Sequence, residues 1–139
     1  HWNRLYGRQG FYQYQCVIPR DGGVAILESL LRRIADSREA SFLAVLKEFG
    51  ERRSPGLLSF PRPGFTLALD FPNRGAKTLT LFQSLDDIVM SAGGALYPAK
   101  DARMSAQTFA RSFPGSEVFS QYVDPRFCSN FWRRVRTGL

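Results

Sequence analysis

Lys100 stands just after the short apolar run Ala95-Leu96-Tyr97 and just before Asp101. A lysine at a strand end can stabilise a negative charge that develops during a reaction, or be made less basic by partial burial. On these residues alone, an ordinary ion pair with Asp101 or a helix-start charge is the favoured reading. The second group of interest lies in residues 11–19, Phe-Tyr-Gln-Tyr-Gln-Cys-Val-Ile-Pro. Successive strand side chains point to opposite faces, so Tyr12, Tyr14, Cys16 and Ile18 share one side and Phe11, Gln13, Gln15 and Val17 the other. Two neutral amides in apolar company suit recognition of a polar, uncharged group, or else form the solvated outer face of an antiparallel sheet. Lys47 falls on the face of Leu43, Val45 and Phe49 in a third apolar run.

Other chemistries find little support. His1 is the sole histidine and is terminal, which argues against a histidine-dependent triad and against a metal site. Neither Gly-x-x-x-x-Gly-Lys-Ser/Thr nor Gly-x-Gly-x-x-Gly occurs, so no phosphate-cradling loop is visible. Asp86-Asp87, inside a helical pattern, reads as a solvated face and not as a carboxylate dyad. Cys16 and Cys128 sit in apolar surroundings and read as reduced core thiols.

The elements that must position these residues follow from periodicity. After the strand at 11–18, Asp21 is placed to cap a helix with Val24, Leu27, Leu30, Leu31 and Ile34 at helical spacing. Residues 41–49 read as a strand, and 50–64, with three prolines and three glycines, as a long loop of the functional kind. A strand over 65–71 and a helix carrying Leu81, Leu85, Ile88, Val89 and Ala92 come next, stopped by Gly93-Gly94 ahead of the run at 95–97. Strand, helix, strand, strand, helix, strand is the split βαβ order of a ferredoxin-like antiparallel sheet, with helices on one face and the other open. The expected class is therefore α+β, with a helical C-terminal segment in which Ser105 caps one helix and Pro125 opens a last one bearing Phe127, Phe131, Trp132 and Val135. Phe11, Val17 and Phe49 are too apolar for full exposure on the open face, which predicts a roof from outside this chain.

The 139 residues are 44% hydrophobic and 14% aromatic, which suits a domain with a substantial core. No run approaches the roughly 18–20 apolar residues of a membrane span, and the start carries no signal segment, so the chain reads as cytoplasmic or at most peripheral to a membrane. The net charge of +7 raises an anionic partner, yet the basic residues are scattered and not interleaved with aromatics. No nucleic acid is expected on that count. A free-standing ferredoxin-like module binding an anionic partner such as nucleic acid stays open as the alternative, as does a membrane-surface role for the last helix with Arg126, Arg133 and Arg136.

The order Trp2-Asn3-Arg4, Gly10-Phe11-x-Gln13-Tyr14-Gln15-x-Val17-Ile18-Pro19, Ser41-Phe42-Leu43-x-Val45-x-Lys47-x-Phe49-Gly50, Leu58-Ser59-Phe60-Pro61-x-Pro63-Gly64, Asp70-Phe71-Pro72, Gly93-Gly94-x-Leu96-Tyr97-x-Ala99-Lys100-Asp101-x-Arg103 and Val123-Asp124-Pro125 resembles the C-terminal part of FAD-linked oxidases of the vanillyl-alcohol oxidase type. The resemblance spans nearly the whole chain. It implies an oxidoreductase that transfers hydride from a sugar alcohol, decaprenylphosphoryl-ribose-like or aldonolactone-like, to FAD held mainly by an N-terminal domain absent here. It implies that residues 1–99 are part of the substrate-binding cap and that residues 100–139 return to the FAD domain. Lys100 would be catalytic and beside the flavin, Tyr97 would contact the cofactor, and Gln13, Gln15, Lys47, Asn3 and Arg4 would line the substrate pocket. Partners would be the sugar or polyprenyl-phospho-sugar, the FAD domain and a reductase, in a role in cell-wall polysaccharide precursors.

Overall fold

Tyr14 and Cys16 are buried while Gln13 and Gln15 are only half-buried, so the alternation in the first strand sorts its side chains as the sequence predicts. The computed structural model describes residues 2–100 and 103–136, without the side chains of Trp2 and Asn3. Strands β1 (Phe11–Ile18), β2 (Ala44–Phe49), β3 (Gly64–Pro72) and β4 (Ala95–Leu96) form one antiparallel sheet in the order β2-β3-β1-β4. Helices α2 (Gly23–Ser37) and α3 (Ala76–Ser91) cross between strands, giving the split βαβ, ferredoxin-like arrangement. A five-residue helix, α1 (Trp2–Tyr6), precedes β1.

Register places Tyr12, Tyr14 and Cys16 opposite Phe71, Leu69 and Leu67, all on the face that the helices cover. Phe82 of α3 is the hub of that layer, with its ring 5.2 Å from Tyr14 and 5.4 Å from Phe71. Leu30 of α2 and Leu81, Leu85 and Val89 of α3 complete it, each fully buried aliphatic contributing roughly 1.5–3 kcal/mol. Val24 and Leu31, expected on the inner stripe of α2, are exposed. Asp21 does not cap α2: Gly22 takes that position in a left-handed conformation (φ 66°) and no side chain caps the helix. The α2–β2 connection is tied down by Glu39, a buried carboxylate that accepts from Lys77 at 2.8 Å and Arg74 at 3.3 Å.

On the opposite face, the expected roof turns out to come in part from the chain itself. The 50–63 loop folds back so that Phe60, 4% exposed, stacks on Tyr97 at 4.6 Å and meets Phe49 edge-on at 6.1 Å. Arg62 holds the loop down by donating to the carbonyls of Phe60 and Ser112. The loop can re-enter the sheet only through glycine: Gly64 has φ of +146°, and a Cβ there would lie 2.1 Å from the Ile18 carbonyl oxygen. At the other end Tyr6 stacks on Phe11 at 4.2 Å. Val17 is thus covered completely and Phe49 in part, Phe11 keeps 38% exposure despite Tyr6, and the Gln13 and Gln15 side chains in the middle of the face stay half-buried.

Helices α4 (Ala106–Ser112), α5 (Ser116–Ser120) and α6 (Asn130–Val135) follow. Ser105 caps α4 as expected, accepting from Thr108 N at 3.0 Å. The last helix starts later than the sequence suggests. The Asp124 carboxylate accepts from Arg126 N and closes a turn, and Ser129, accepting from Trp132 N, is the true cap. Phe127 consequently leaves the expected stripe and is 82% exposed, whereas Trp132 packs against Phe109 and Phe119, and Val135 is buried with it in a core continuous with that of the sheet.

Cys16 is fully buried and its thiol is pushed up to about 12, chiefly by desolvation. The folded chain therefore keeps a proton that the unfolded chain loses above the ordinary value of 9.0. The associated stability is complete below that pH and falls by about 1.4 kcal/mol per pH unit as pH rises toward the folded value. Denaturant titrations on either side of pH 9.0 should show this slope in the wild type and its loss in Cys16→Ala.

Candidate active site

The site forms where β4 stops. After two paired residues the chain makes one last sheet bond, Tyr97 N donating to Gln15 O at 2.9 Å, and then turns through the 3-10 segment Pro98–Lys100. Because β4 is so short, the β1 edge from Phe11 to Tyr14 has no strand beyond it among the described residues, and side chains from both sheet faces meet there. The turn, closed by Lys100 N donating to Tyr97 O at 3.1 Å, swings Lys100 back over β1. Its ammonium donates to Gln13 Oε1 at 2.9 Å.

Gln13 is engaged at both ends, since its Nε2 donates to Asp70 Oδ1 at 3.1 Å. Asp70 lies directly opposite on β3 and is 5% exposed. Gln15 donates from Nε2 to Thr66 Oγ1 at 3.2 Å, and among the described residues its Oε1 accepts no hydrogen bond. A cleft at this edge is lined by Gln13, Gln15, Tyr97, Lys100, Arg103 and Met104, with Tyr12, Tyr14, Phe82 and Leu96 behind them.

Arg103 enters the cleft wall by way of a residue the sequence misassigns. Asp86, read there as solvated, is 3% exposed and accepts from both ends of the Arg103 guanidinium at 2.7 and 2.9 Å. The fork also lies over the Phe82 ring, 5.1 Å from its centre. The α3 stripe rotates Asp86 toward the sheet and Asp87 away from it, and a planar guanidinium supplies the bidentate partner that burial demands. Burial pushes the Asp86 carboxyl up, against the opposing pull of Arg103. The Tyr14 hydroxyl, within electrostatic reach of Asp86, is raised well above its ordinary range by the same desolvation and stays neutral.

Of the residues expected at a site, the structure brings Gln13, Gln15, Tyr97 and Lys100 together. Lys47 shares the uncovered face, paired in register with Thr66, but it is exposed and stands apart from the cleft. Arg4 is exposed on α1 and lines no part of it. The Asn3 side chain lies outside the described residues, as does Asp101, the partner considered for Lys100. Asp70, Thr66 and Met104 carried no chemical signal in the sequence: only pairing of β1 with β3 puts Asp70 opposite Gln13 and Thr66 diagonal to Gln15, and only the turn after β4 brings Met104 to the cleft. Among the described residues no group of three or more His, Cys, Asp or Glu could hold a metal, and no helix is long and apolar enough to cross a membrane.

The arrangement presents an exposed ammonium, an unengaged amide oxygen and a half-buried aromatic ring along one edge. It can bind a polyhydroxyl group and place positive charge where negative charge builds up.

No protein-family model matches the chain. Over 141 residues it is 40% identical to a decaprenylphosphoryl-beta-D-ribose oxidase of Mycolicibacterium smegmatis, an alignment covering 97% of this chain and 30% of that protein. It is 35% identical over 132 residues to an uncharacterized protein in the mprA 5′ region of Streptomyces coelicolor, covering 91% of this chain and 35% of that protein. The chain thus spans about a third of the length of the curated relatives it matches.

Proposed function

We infer that this chain is the substrate-domain portion of an FAD-dependent oxidoreductase that oxidises an alcohol of a polyprenyl-phospho-sugar. The observation that carries the reading is Lys100 held by Gln13 at an uncovered sheet edge, in a chain similar over nearly its full length to an oxidase of such a sugar. In this reading residues 1–99 belong to the substrate-binding cap and residues 100–139 return toward an FAD domain elsewhere in the polypeptide.

The donor set fits a flavin ring on its substrate side. Tyr97 is half-buried and stiffened by stacking on Phe60, and Lys100 offers a cation beyond it. With no phosphate-cradling motif in this chain, the pyrophosphate of the cofactor would be held by the other domain. FAD, when bound, supplies the acceptor for the hydride of the sugar carbinol carbon. Everything else falls to residues of this chain. Gln15 Oε1 accepts from a sugar hydroxyl and so orients the ring. Among the described residues Lys100 Nζ donates to Gln13 alone, and with its other N–H groups it orients the reacting oxygen and stabilises negative charge arising beside it. Lys47, farther along the same face, can meet the substrate phosphate as a point charge. A reductase that takes up the electrons remains part of the proposal.

The test is the complete polypeptide, purified and kept anaerobic. It should be yellow, and its flavin absorbance should bleach when a polyprenyl-phosphoryl pentose is added. A colourless protein, or a flavin that no such sugar reduces, overturns the reading.

A further inference from the structure

Gln13 could in principle present either end of its amide to Lys100, and only one end works. Its Oε1 accepts from the ammonium, whereas Nε2 would oppose it with two more donors. What selects the working orientation is on the neighbouring strand: Asp70 Oδ1 takes Nε2 at 3.1 Å, leaving Oε1 aimed at Lys100 Nζ at 2.9 Å. Asp70 is itself fixed, being 5% exposed with its backbone N–H donating to Ser41 Oγ at 2.9 Å and to Leu43 O at 3.2 Å. An ionised carboxylate accepts only, so it admits one amide orientation. Diagonally across the same two strands, Thr66, the register partner of Val17, engages Nε2 of Gln15, and among the described residues Oε1 of Gln15 is left unengaged.

We propose that Asp70 is a positioning residue: through Gln13 it sets the place of the Lys100 ammonium, and the β3 side chains as a set turn the amide oxygens of this wall outward. The wall is thereby polarised as an acceptor surface beside the Lys100 ammonium, with the Arg103 guanidinium taken up by Asp86, and it selects ligand groups that donate, such as sugar hydroxyls. The inference rests on the proposed function for its kinetic consequence but not for its structural one.

Asp70→Asn is nearly isosteric and removes the one-way constraint, since an asparagine can either donate to or accept from Gln13. In the complete flavin-loaded polypeptide, Asp70→Asn should slow flavin reduction on the order of 10- to 100-fold, with half-saturation by substrate changing less. In a Gln13→Leu background the same substitution should cost less than about twofold, because the path to Lys100 is already cut. Equal losses in both backgrounds would mean a merely structural role and overturn the proposal, as would full activity of Asp70→Asn. If the wild type is not reduced by any sugar, the proposed function fails and this inference is still decided by the Gln13 side-chain amide signal in glutamine-15N-labelled protein. That signal should move on both Asp70→Asn and Lys100→Met, and indifference to either substitution refutes the relay.

Discussion

Lys100→Ala in the complete polypeptide is expected to lower the rate of sugar-dependent flavin reduction by about 100- to 1000-fold while flavin stays bound. The size of the effect follows from the cleft. Lys100 lines the cleft with an exposed ammonium, and its hydrogen bond to Gln13 holds it over the β1 edge. The fold should hardly notice the change, because one exposed hydrogen bond is worth about 1 kcal/mol or less. Rapid-mixing measurement of flavin bleaching, beside a thermal melt of the same sample, separates the two. Lys100→Arg should recover only part of the rate, since a planar fork cannot reproduce the point charge that the amide oxygen holds. Normal bleaching by Lys100→Ala would remove Lys100 from the chemistry altogether.

The largest expected effect on stability lies behind the cleft, in Arg103→Met. Asp86 would be left buried with its bidentate partner gone, at a cost of about 3–5 kcal/mol at neutral pH. The sign of the pH dependence is set by the direction of the Asp86 shift. Burial already raises its folded-state value, and losing Arg103 removes the larger part of what opposes the rise, leaving only Tyr14. A carboxyl raised on folding favours the protonated folded state, so its contribution is most favourable below the ordinary value of 3.8 and declines as pH rises through the folded value. The deficit of Arg103→Met relative to wild type should therefore be greatest near neutrality and shrink toward acid. Urea denaturation of both proteins at the two pH values measures it, and a deficit independent of pH would show that Asp86 does not carry it. The double variant Asp86→Leu/Arg103→Met should regain much of the loss, since no buried charge is then left alone.

Similarity to a sugar oxidase and the local geometry bear on different parts of the argument. In the proposed reading the class of chemistry rests on 40% identity to a protein of which this chain spans 30%, and the hydrogen bonds among Lys100, Gln13 and Asp70 name the atoms that would serve it. Lys47 illustrates the difference. It shares the face of the glutamines, yet it is separated from the cleft by the width of β3, a distance that suits a remote phosphate better than a reacting hydroxyl.

The sequence by itself determined the order of the elements, the α+β class and the two faces of β1. Each of these depends on short-range regularities, a period of two in strands and of 3.6 in helices, that need only near neighbours in the chain. For the same reason Ser105 was legible as a cap and Gly93-Gly94 as a stop. Tertiary structure alone decided which atoms of the site meet. Gln13 and Asp70 are 57 residues apart, Lys100 and Gln13 are 87 apart, and the orientation of an amide depends on both partners at once. The same holds for Asp86, which beside Asp87 looks like a solvated pair until Arg103, 17 residues on, makes its burial tolerable. The folding of Phe60 over Tyr97, which covers one end of the sheet face, was equally beyond local pattern. A loop is placed by what it packs against, and its own sequence says only that it cannot be a helix or a strand.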